Sequence, residues 1–199
     1  GDIDVIVAAT NKGIIVIPLD VESDSPVTIG SWDIMEGSAC NVVTLLEQDG
    51  SDSHLLLLGA ETGTILRISS SGVVINVSAV SDILLQTLSA VAATPTAVVH
   101  VEHDGRSRLF IGSDEGMFEV TVSSDADGWH FTSPLWHFSA SDDDDLREAS
   151  SIAVKGTKRE RVNAIIPDGP LGSAPVVLWI GTDSGLHKFD LATDGIQHS

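Results

Sequence analysis

Residues 178–190, Leu-Trp-Ile-Gly-Thr-Asp-Ser-Gly-Leu-His-Lys-Phe-Asp, decide how this chain is read. Leu178, Trp179 and Ile180 are bulky and apolar, as a buried strand requires. After Gly185 a second short segment starts, with Leu186 and Phe189 apolar and His187 and Lys188 polar. The pattern is strand, turn, strand. Asp183 and Ser184 suit the right-handed positions of a type I turn, and Gly185 supplies the left-handed residue that lets the hairpin close.

Working outward, the same plan recurs at residues 6–17, 56–68 and 109–120. The copy at 109–120, Leu-Phe-Ile-Gly-Ser-Asp-Glu-Gly-Met-Phe-Glu-Val, matches 178–190 position by position through the turn. The turn glycines Gly13, Gly63, Gly116 and Gly185 are separated by 50, 53 and 69 residues. One four-stranded propeller blade occupies roughly 40 to 50 residues, so the spacing is that of blades, with an insertion in the last interval. A strand-like run precedes each later hairpin, at 41–46, 96–101 and 161–166, and segments 27–34, 73–77 and 129–138 follow the first three as outer strands.

Residues 178–190 resemble the repeat of the two-component regulator propeller family, whose blades carry a Trp-Ile-Gly-Thr-x-x-Gly-Leu-x-x-Phe pattern. The third copy keeps Phe110-Ile-Gly-Ser with Gly116, while the first has Ala8-Ala9 in place of Ile-Gly. The resemblance implies an all-β propeller acting as a sensor input outside the cytoplasm, periplasmic or extracellular, attached to signalling modules. It brings no functional residue with it.

The expected fold is therefore all-β, a propeller-like array of about four antiparallel blades. A partial blade covers 1–35, blades cover 36–92 and 93–160, the latter with an acidic insertion, and a partial blade covers 161–199. Segment 81–93 fits helical spacing through Ile83, Leu84, Leu88 and Val91, and a strand plus loop fits it too. Both outer blades read as incomplete, the first lacking its inner strand and the last its outer one. Strands shared between the termini would complete four blades. The preferred reading is a stretch of a longer propeller, or one completed by another chain, self-associating through terminal blades around Ile6, Ile15 and Trp179.

Charge narrows the partners. With 29 acidic and 10 basic side chains the net charge is -19, which repels nucleic acid and anionic membrane surfaces. The scarcity of lysine fits a salty environment and plain solubility equally. No apolar run is long enough to cross a bilayer as a helix. The single Cys40 excludes an internal disulfide and reads as a core thiol beside Val42 and Leu45.

Candidate chemistry is sparse. The run Asp142 to Asp145 lacks the spaced ligands and turn glycine of a calcium loop and reads as a solvated loop. Segment 123–128, with Asp125, Asp127 and Gly128, comes nearer but is also explained as a turn between strands. His100 and His103 read as ordinary strand histidines, with no metal set around them. There is no Gly-x-Ser-x-Gly elbow, so no catalytic residue, cofactor or metal is expected. Trp129 and Trp136 lie beside polar turns and are the candidate partner contacts, although packing at a blade edge accounts for them as well. Asn76-Val-Ser78 is a glycosylation sequon that matters only in a eukaryotic secretory protein. The functional reading is a non-catalytic binding or scaffold module with a protein partner. The alternative is a propeller lyase or hydrolase, which a convergent His/Glu/Arg group at a channel mouth would favour.

Overall fold

A computed structural model describes residues 5–11, 13–18, 39–46, 53–68, 74–80, 82–138, 153–154, 161–169 and 175–198. Within them the protein is all-β apart from one helix, and its strands form antiparallel sheets of sequence-consecutive strands. The chain divides into two compact units, Gly1–Val80 and Ser81–Ser199. The expected strand at 27–34 and the acidic run 142–145 lie outside the described residues.

In the first unit β1 (Val5–Thr10) and β2 (Gly13–Pro18) form a hairpin, and β3 (Val42–Leu46), β4 (Ser53–Leu58), β5 (Gly63–Ile68) and β6 (Val74–Ala79) form a four-stranded meander. Alternation along the strands puts Leu55, Leu57 and Leu66 on one face. They pack with Ile14 and Cys40, against partly buried Val7, Ala9 and Val43.

The second unit begins with α1 (Asp82–Ala90), which resolves the ambiguity of segment 81–93 in favour of a helix. Leu84 and Leu88, one turn apart, are fully buried, and α1 contacts β10. The helix ends where Ala92 turns to φ 51°, with Ala93 N–H donating to Leu88 O at 2.9 Å and Ala92 N–H to Ser89 O at 3.1 Å. That is the paired bonding of a Schellman cap, and Pro95 follows.

Strands β7 (Pro95–His103), β8 (Arg106–Ser113), β9 (Gly116–Asp125) and β10 (Gly128–Phe138) then form a meander. The two-residue β11 (Ala153–Val154) adds to it in parallel beside β10. The last sheet is β12 (Val162–Asp168), β13 (Val177–Thr182), β14 (Gly185–Asp190) and β15 (Gly195–His198). β15 corrects the expectation that the last blade lacks its outer strand, since it pairs with β14 from His187↔His198 to Asp190↔Gly195. Between these two sheets lies a core of Val101, Phe110, Met117, Val162, Ile165, Leu178, Ile180, Phe189 and Leu191. Its apolar area is the main force joining the sheets.

Candidate functional site

The turns at one end of these sheets explain why the repeat reads Gly-Ser/Thr-x-x-Gly. In the β8–β9 turn Ser113 Oγ accepts from Glu115 N–H at 3.2 Å and donates to Gly116 O at 3.0 Å. In the β13–β14 turn Thr182 Oγ1 makes the same pair, accepting from Ser184 N–H at 3.3 Å and donating to Gly185 O at 3.3 Å. A hydroxyl at this position thus bridges the turn. Gly116 and Gly185 take φ 135° and 142°, a region that side chains with a Cβ rarely adopt.

The first turn residue then ties each hairpin to the residue ahead of its sheet's first strand. Asp114 N–H donates to Thr94 O at 3.2 Å while its Oδ1 accepts from Thr94 N–H at 2.6 Å. Asp183 N–H donates to Arg161 O at 3.2 Å and its Oδ1 accepts from Asn163 Nδ2 at 2.9 Å. Asp114, Asp183 and Ser184 are exposed.

The other two turn glycines stand differently. Gly13 begins β2 opposite Thr10. Gly63 has no positive φ, which corrects the expectation of a left-handed residue there. The β4–β5 turn has Ala60 where the others have a hydroxyl, and it is wider: Gly63 pairs with Leu58 and Gly59 N–H donates to Thr62 O at 2.7 Å. Space is the constraint at Gly63, because a Cβ would meet Leu58 Cδ2 at 2.9 Å and Val80 Cγ2 at 3.0 Å.

A second polar group lies inside the second unit and was not foreseen from sequence. Arg108 on β8, Glu119 on β9, His137 on β10 and Asp194 in the β14–β15 turn converge there. Arg108 Nη1 is 2.6 Å from Asp194 Oδ1 and 3.4 Å from Glu119 Oε2, and Nη2 donates to Leu191 O at 3.2 Å. Its guanidinium sits 5.1 Å from the Phe110 ring centroid. His137 Nε2 is 3.0 Å from Glu119 Oε2, and its ring lies 4.8 Å from that of Phe189. His137 reaches this face because the β9–β10 register shifts between Thr132 and Leu135, a bulge that sets Leu135 opposite Glu119 and so puts His137 on the same strand face. The side chains of Arg108 and His137 are only 6% and 0% exposed. The only advance signal was Arg108 sharing the strand face of Phe110 and Gly112, an inward position for a charge.

The same shift settles Trp136 by setting it opposite Phe118. It is 2% exposed and packs 4.9 Å from the Phe118 ring, so its candidacy as a partner contact is withdrawn. Trp129 is half-buried near the start of β10, opposite Ser124. In segment 123–128 Asp125 accepts from Asp127 N–H at 2.8 Å and pairs with His130 at 2.9 Å. These bonds, that to His130 first, hold its carboxyl below the usual carboxylate range. That is a self-capped turn. Among the described residues no three His, Cys, Asp or Glu side chains are grouped to hold a metal. His100 Nε2 is 2.7 Å from Ser107 Oγ, and His103 Nε2 is 3.5 Å from Asp104 Oδ2.

No protein-family model matches the chain. No curated protein matches it either. Among solved structures it is similar to an extracellular domain assigned to a one-component system of B. thetaiotaomicron, at 12% identity and a TM-score of 0.26, covering 98% of this chain and 34% of that one. The chain thus spans about a third of that structure's length.

Proposed function

We propose that this chain is a non-catalytic binding module, a stretch of β-propeller whose hairpin turns present the recognition surface on a rigid sheet frame. The observation that carries the reading is the repeated hydroxyl-bridged turn at 113–116 and 182–185, fixed to its own sheet and carrying exposed Asp114, Asp183 and Ser184. Rigid frames with exposed turns are how repeat folds recognise partners. The sensor-input role rests on the resemblance of residues 178–190 to the regulator propeller repeat. The convergent Arg108, Glu119 and His137 do not favour the enzyme reading, because Arg108 and His137 are buried against Phe110 and Phe189 and the Arg108 bond to Leu191 O ties the two sheets together.

The test is incubation of the chain, and of its His137→Ala variant, with chromogenic esters, phosphodiesters and glycosides and with polyuronates. Neither should turn any of them over, and His137→Ala should differ only in stability. Turnover by the wild type that His137→Ala or Glu119→Gln abolishes would establish the enzyme reading instead.

A further inference from the structure

We infer that the outer face of β12–β14 is a docking surface for a second copy of this chain, which seats there the Ile6 face of its β1–β2 hairpin. The inference rests on the repeat reading above and extends it to a partner.

Two sheets of the second unit carry the same face. On β7–β9 it is built from Ala97 opposite Gly112 opposite Met117, with Val99 opposite Phe110. On β12–β14 the same register gives Ala164 opposite Gly181 opposite Leu186, with Ile166 opposite Trp179. Small residue, glycine and large apolar residue recur in the same order. The first face is covered by the next sheet, so closely that a Cβ on Gly112 would lie 2.5 Å from Val162 Cγ1 and 2.9 Å from Val162 Cβ. The second face is open. Among the described residues, a Cβ on Gly181 would meet nothing nearer than Ala164 Cβ at 3.9 Å, a neighbour in its own sheet. Ile166 and Leu186 are 60% and 49% exposed. An apolar sheet face of this kind, whose counterpart in the same unit is packed against the next sheet, is an interaction surface.

The repeat also identifies what fits it. The face that covers Gly112 includes Leu178 and Ile180, flanking Trp179 on β13. Aligning 6–13 with 178–185 places Ile6 and Ala8 at those two positions and Val7 and Ala9 at Trp179 and Gly181. Val7 and Ala9 pack against the Leu55, Leu57 and Leu66 cluster, whereas Ile6 is 47% exposed. The chain therefore carries both halves of one sheet-on-sheet contact, a covering face on β1 where Ile6 is exposed and a receiving face on β12–β14 where Ile166 and Leu186 are exposed around half-buried Trp179. The contact is head-to-tail, which closes into a ring or propagates. Two chains of net charge -19 repel, so salt should strengthen the association by screening.

Sedimentation velocity of the chain over a wide concentration range, at low and high salt, is the test. Association should appear and grow with salt. Ile6→Asp, Leu186→Asp and Gly181→Val should each weaken it tenfold or more without lowering Tm. Mixing Ile6→Asp, whose receiving face is intact, with Leu186→Asp, whose covering face is intact, should restore a one-to-one dimer that goes no further. A monomer at every concentration, association indifferent to these substitutions, or a mixture that stays monomeric would overturn the inference. Gly112→Ala separates this from the repeat reading. It should lower Tm by roughly 3–10 °C, because Val162 cannot withdraw its Cβ. An unchanged Tm there would remove the repeat interface itself, while a lowered Tm with inert docking variants would remove only the docking surface.

Discussion

Replacing Arg108 with methionine tests the buried polar group most directly. Methionine keeps much of the aliphatic stem against Phe110 and deletes the charge. Glu119 is then left 12% exposed without its cation, whereas Asp194, at 32% exposed, recovers water and keeps Arg106 at 3.9 Å. Breaking one side of a buried pair costs about 3–5 kcal/mol, and the exposure of Asp194 points to the lower end. For a chain of this length each kcal/mol moves Tm by about 2–4 °C, so a fall of roughly 6–12 °C is expected. Urea unfolding followed by tryptophan fluorescence is suitable, since Trp129, Trp136 and Trp179 all lie in the unit concerned. The double variant Arg108→Met with Glu119→Met removes both charges and should recover most of the loss. A loss under about 1 kcal/mol in the single variant, or strict additivity in the double, would refute the assignment of Arg108 as the tie between sheets.

Two further outcomes follow from burial. Desolvation lowers the His100 pKa from 6.5 to about 4, so between those values the unfolded chain holds a proton that the folded one does not. Stability should therefore fall as pH drops from 6.5 toward 4, with a His100 contribution of at most about 1.4 kcal/mol per pH unit, and level off below. His100→Gln should flatten that slope, and an unchanged slope would contradict the shift. Burial raises the Cys40 pKa to about 11, and its Sγ donates to Val42 O at 3.3 Å. A thiol-disulfide reagent at pH 8 should therefore label Cys40 only as the chain unfolds, and rapid labelling of the native protein would show the thiol to be accessible.

The hairpins were legible in sequence because a short-range rule writes them: alternating apolar residues either side of a polar turn ending in glycine. Around Gly116 and Gly185 that rule sufficed, and the register places both at strand starts. It misled at Gly63, where Ala60 removes the bridging hydroxyl and the turn widens. β15 escaped notice because four residues, Gly-Ile-Gln-His, carry too little pattern to stand out from a loop. Segment 81–93 stayed ambiguous until the β7–β10 sheet supplied a surface for Leu84 and Leu88. The polar group around Arg108 was invisible because its members are spread from Arg108 to Asp194 and meet only through sheet packing. Trp136 looked exposed from the polar residues around it, whereas the register shift between Thr132 and Leu135 sets it opposite buried Phe118.

The strand order bears on how the chain acquires its structure. In every described sheet each strand pairs with the one beside it in sequence, and the only parallel pairing is the two-residue contact of β10 with β11. Pairings of this range cost little loop entropy, so low contact order is built into the architecture. Each meander can complete its backbone hydrogen bonds once its last strand leaves the ribosome, before the next sheet exists. What must wait is the face-to-face packing, such as Val162 over Gly112, and the order of synthesis thereby becomes the order in which apolar faces are covered.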